Sequence, residues 1–80
     1  MAIDQSDLIW AEDEAIFTAR QYLSLCTDES IAYARHWLAK QRVHLHRIFV
    51  DTCGLDNAAE VWARYDSILT SKGIDLASLA

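Results

Sequence analysis

Eighty residues carry 12 acidic and 7 basic side chains, a formal charge of −5, and 42 of them are apolar, eight being Phe, Trp or Tyr. So large an apolar share excludes a disordered acidic tail, and the acidic balance argues against a generic nucleic-acid-binding domain or attraction to anionic lipid. A chain this short hides only roughly 60 to 65% of its unfolded surface on folding, so a partner or a second copy would add usefully to its stability.

The segment before Asp7 is acidic, with no basic stretch leading into an apolar one, and no 18-residue apolar run follows. No membrane span or secretory signal is therefore expected, and the protein reads as cytoplasmic. Proline is missing, and Gly54 and Gly73 each follow a long helix-compatible stretch. Twelve Ala and nine Leu favour helix over sheet. The pattern predicts an all-α fold, a compact three-helix antiparallel bundle with short turns, as a single helical domain over residues 1–80.

The first helix is expected from about Asp7 to Cys26, capped by Asp4 or Ser6. On a helical wheel Leu8, Ala11, Ala15, Ala19, Tyr22 and Cys26 form one stripe, with Ile9, Ile16 and Leu23 beside it. The polar segment Thr27, Asp28, Glu29, Ser30 then leads into a second helix, about Glu29 to Thr52. Its core face collects Ile31, Ala34, Trp37, Leu38, Gln41, Leu45, Ile48 and Phe49, and Gly54 ends it. Asp56 is the expected N-cap of a third helix, about Asn57 to Ser71, whose stripe is Ala58, Val61, Trp62, Tyr65, Ile68 and Leu69. Lys72 and Gly73 form its stop signal, with Ile74 as the apolar contact of a Schellman-type cap. The tail from Asp75 to Ala80 has the length for one extra turn, placing Leu76 and Leu79 on the bundle or on a neighbour.

Charge is segregated along the chain. Residues 1–30 hold seven acids and one base, net −6; residues 31–50 hold four bases and no acid, net +4; residues 51–80 hold five acids and two bases, net −3. The plain reading is that Arg35, Lys40, Arg42 and Arg47 face Asp13, Glu14, Glu60 and Asp66 across the seams, at about 0.2 to 1 kcal/mol for an exposed pair. The functional reading is a basic strip of Arg35, Arg42, His46 and Arg47 that meets phosphate or an acidic protein.

Trp10 and Phe17, seven residues apart, project together on the side of the first helix away from Ala15 and Ala19. Asp13, Glu14 and Gln21 surround them. Large rings with a polar rim have the anatomy of a protein interface, so these five residues are the expected partner-binding site.

Other chemistry finds less support. Glu12 falls inside the apolar arc, where an ion pair with Arg42 or Arg35 at the seam edge, or simple reach to solvent, is the expected resolution. His36, His44 and His46 have no i, i+3 or i, i+4 partner, so no metal site is expected within the chain. Cys26 and Cys53 fall at opposite poles of a helical hairpin, roughly 33 Å apart, too far for a disulfide. Asp66, Ser67 and Ile68 echo the Asp-Ser-Leu at which carrier proteins accept phosphopantetheine. Arg64 replaces the glycine that precedes it there, and the serine falls inside a helix, so that site is excluded. The sequence therefore predicts a non-enzymatic protein-binding module without cofactor, acting as a regulator, inhibitor or small subunit. The expected partner is another protein or a second copy of the chain. A nucleic-acid-directed dimer using the basic strip is the alternative, and no membrane role is expected.

Overall fold

A computed structural model of the protein describes residues 4–79, so residues 1–3 and 80 of the predicted 1–80 domain lie outside the described residues. It is a three-helix bundle: α1 (Gln5–Asp28), α2 (Ile31–Cys53) and α3 (Leu55–Ser71), closed by a short 3-10 turn at Ala77–Leu79. Each helix packs against both others in a rod of 42 × 18 × 18 Å, so each also keeps a solvent flank along its length. Among the described residues, no helix is long and apolar enough to cross a membrane.

The helix ends follow from capping chemistry. Asp4 caps α1, its carboxylate accepting the Ser6 backbone N–H at 3.0 Å, and that bond holds its pKa below the usual carboxylate range. Ser30 Oγ accepts the Tyr33 N–H at 3.0 Å and opens α2, leaving a two-residue joint after α1. Gly54 (φ 85°, ψ 154°) sits in backbone space that is nearly glycine-only. Its N–H closes α2 on the Val50 carbonyl at 3.0 Å, and its own carbonyl accepts the Ala58 N–H at 2.9 Å to start α3.

One residue thus serves both helices, which corrects the expected start of the third: α3 begins at Leu55, and Asp56 lies in its first turn instead of capping it. At the far end Gly73 (φ 84°) donates to the Thr70 carbonyl at 3.0 Å and Ile74 to the Leu69 carbonyl at 3.2 Å, with Ile74 buried. This is the Schellman pairing and its apolar contact. Leu76 and Leu79 pack against the core, so these two residues lie on the bundle.

The core is asymmetric. From α1 it takes small residues at four-residue spacing, Ala11, Ala15 and Ala19, together with Thr18 and Tyr22. From the other two helices it takes bulk: Leu38, Leu45 and Phe49, and Val61, Tyr65 and Leu69. A row of alanines leaves room for large side chains opposite, so Phe49 and Tyr65 fill the centre with ring centroids 5.8 Å apart, edge to face. Tyr65 carries a hydroxyl into this interior, where it bonds Thr18 Oγ1 at 3.1 Å. Burial pushes the Tyr65 pKa up, because a phenolate there would lose its hydration. Ile31, expected in the core, is exposed: it is the first residue of α2, where no neighbouring helix reaches over it.

Candidate functional site

While α1 presents alanines inward, and Leu25 packs against the core, three of its larger aliphatic residues face elsewhere. Ile9 and Leu23 are 49% and 50% exposed, and Ile16 between them is half-buried. These three were expected beside the core stripe; they instead form a strip on the flank that the other helices leave open. Steps of seven residues keep them aligned with a drift of only about 20° per step, at about 10.5 Å intervals. Phe17 is 59% exposed and lies further round the same outer face. Between the strip and Phe17 come Asp13 and Arg20, both exposed and neither ion-paired to a described residue. Arg20 is the one base in residues 1–30.

The aromatic ridge expected from Trp10 and Phe17 does not form. Trp10 is half-buried, with its ring edge against Phe49 at a centroid distance of 4.8 Å and 76° between planes. The wheel gave the direction of its Cα–Cβ bond but not the reach of an indole, which folds over the α1–α2 edge onto the core. Phe17 lies about 20° further out and two turns along, and its ring stays in solvent. Of the expected rim, Asp13 and Gln21 are exposed and Glu14 is half-buried.

The basic strip of α2 is divided. Arg42 forms a bidentate pair with Asp66 of α3, Nη1 to Oδ1 at 2.6 Å and Nη2 to Oδ2 at 3.2 Å. Its guanidinium carbon also sits 4.7 Å from the Trp62 ring centroid. Trp62 in turn stacks on Tyr65 at 5.0 Å, and His46 meets Trp62 edge-on at 5.1 Å. Arg42 is therefore the α2–α3 clamp, with its hydrogen-bonding edge directed to Asp66 and a cation–π face to Trp62. Arg35 is half-buried, and exposed Arg47 projects at least about 100° away from Arg35, Arg42 and His46 on the wheel.

Glu12 also departs from expectation, since its partner is Arg64 and not Arg42 or Arg35. Arg64 Nε and Nη2 donate to Glu12 Oε1 at 2.9 and 2.5 Å. The α1 flank bearing Glu12 faces α3, which the sequence alone left open between two neighbours. This pair bounds a surface cleft of about 490 Å³ between α1 and α3, which Leu8, Ala63 and Glu60 also line.

Cys26 and Cys53 carry free thiols. Burial raises the Cys53 pKa, and Asp7 at the start of α1 raises it further, so the thiol stays protonated near neutrality. Among the described residues no three His, Cys, Asp or Glu side chains gather as a metal-binding group. Comparison of the chain with family models, with curated proteins and with solved structures finds no match.

Proposed function

We propose that this chain is a protein-binding module whose contact face is the outer side of α1, centred on Ile9, Ile16 and Leu23 and edged by Asp13, Phe17 and Arg20. The observation that carries the reading is the inversion of size on that helix. Alanines occupy three of the five buried positions, while Ile9 and Leu23 stand about half exposed on the outer flank with half-buried Ile16 between them. An Ile or Leu left in water forgoes about 1.5 to 3 kcal/mol that burial would supply. Aligned apolar residues with charged neighbours are the usual composition of a contact patch. The nucleic-acid alternative is weakened by the engagement of Arg42 with Asp66 and Trp62, which removes the central cation of its strip.

A photoreactive benzophenone side chain placed at Leu23, with a control at Val43, tests this in the cell of origin. Val43 is 70% exposed on α2 against 50% for Leu23, so the control position is the more open of the two to chance contacts. Protein adducts from position 23 and few from position 43 are expected. Absence of adducts at 23, or equal yields at both, contradicts the reading.

A further inference from the structure

The outer face of α1 has a charge pattern that selects one occupant. Asp13 and Arg20 are seven residues apart, opposite in sign, and both lie on the same edge of the Ile9, Ile16, Leu23 strip, about 40° to 60° from its centre. We infer that the strip is covered by a second copy of this chain, with the two α1 helices antiparallel about a two-fold axis through Ile16. The inference rests on the protein-binding reading of that face and names its partner.

Ile16 stands midway between Ile9 and Leu23, so an antiparallel two-fold at Ile16 brings Ile9 level with Leu23 of the second copy, and Ile16 against its own counterpart. A two-fold perpendicular to the helix axes keeps each edge of the strip on its own side. Arg20 of one copy therefore comes level with Asp13 of the other, within about one residue rise of 1.5 Å, and the symmetry makes the pair twice. Parallel pairing would instead swap the edges, setting Asp13 near the like-charged Glu12 of the other copy and leaving Arg20 level with Ala19, so the charges disfavour it. Glu12 lies on the opposite edge and is held by Arg64 within its own chain, so it does not compete for Arg20.

Two facts bear on strength. The α1 helix of 24 residues is about 36 Å long, enough for three apolar layers. One helix face nevertheless lies at the low end of stable interfaces, near or below about 800 Å² per partner, the size class of transient associations. The negative charge of each copy repels the other at low ionic strength. At about 0.15 M salt the screening length is near 8 Å, shorter than the distance between most of these charges.

Sedimentation equilibrium of the full chain from about 1 to 200 µM in that salt tests the arrangement. The wild type should move towards twice the 9.1 kDa chain mass. Asp13→Arg and Arg20→Asp each place like charges at both symmetric positions and should weaken association at least about tenfold. The double exchange Asp13→Arg with Arg20→Asp restores both pairs and should return within about threefold of wild type. Both residues are exposed, so circular dichroism of each variant should show an intact helical monomer. A wild type that stays monomeric overturns the inference, as does a dimer indifferent to the single reversals or a double exchange that fails to recover. A monomer whose position-23 probe still captures a different protein overturns the second copy alone. A monomer without adducts overturns the binding face as well.

Discussion

Replacing Trp10 or Phe17 by alanine separates two rings that the sequence pairs and the structure parts. Trp10 packs edge-on against Phe49, itself fully buried, so its removal opens a gap beside the aromatic centre. A fully buried Trp→Ala change costs about 3 to 5 kcal/mol; discounted for the partial exposure of this indole, about 2 to 3 kcal/mol is expected. An 80-residue fold has a total stability of about 4 to 12 kcal/mol, so this is a large fraction. In a domain of this size each kcal/mol moves Tm by about 4 to 8 °C, which gives a fall of roughly 8 to 24 °C. Phe17→Ala removes a ring that is 59% exposed and should stay within about 0.5 kcal/mol of wild type. Thermal and urea unfolding by circular dichroism at low micromolar protein, where self-association contributes little, reads both. Equal losses from the two substitutions would refute the separation of the rings, and a silent Trp10→Ala would refute its place on the core.

Gly54→Ala should cost about 1 to 3 kcal/mol in urea unfolding through backbone strain alone, since a Cβ there meets no atom within 4 Å; a neutral result would show that the α2–α3 joint relaxes freely. The raised Tyr65 pKa has a defined sign. The fold favours the neutral phenol, so its contribution is complete below the unfolded value of about 10 and is lost as pH climbs towards the folded value. Tyr65→Phe should therefore be less stable than wild type by about 1 kcal/mol near neutral pH, because Thr18 loses its partner, yet decline less steeply above pH ~10. Parallel stability–pH curves for the two proteins would contradict the burial of that hydroxyl.

Much of the fold was legible because helix ends are written locally. Asp4 and Ser30 cap through their own side chains, and Gly73 with Ile74 signals a Schellman turn within six residues. Asp56 misled because Gly54 could both end one helix and start the next, making a side-chain cap unnecessary. Periodicity also identified Ala11, Ala15 and Ala19 on one side and Leu38, Leu45 and Phe49 on another. What it could not give was the angular width of cover. Two neighbours shield only the inner arc of α1, so Ile9 and Leu23, adjacent to that arc on the wheel, fall outside it. Reach was equally hidden, since Trp10 and Phe17 leave the backbone in nearly the same direction and only the indole finds Phe49. The partner of Glu12 depended on which helix occupied each side of α1, a choice of handedness that the sequence pattern does not encode.

Disulfide trapping tests the central claim most directly. In a background of Cys26→Ser and Cys53→Ser, Ile16→Cys places one thiol per chain on the proposed two-fold axis. Helices packed 8 to 10 Å apart bring backbone atoms at such a point to roughly 4 to 6 Å, within disulfide range. Mild oxidation at tens of micromolar protein should give a covalent dimer from Ile16→Cys quickly and nearly completely, while Val43→Cys, more exposed than any position on the strip, reacts slowly. Equal rates at the two positions, or faster trapping at 43, would contradict the account.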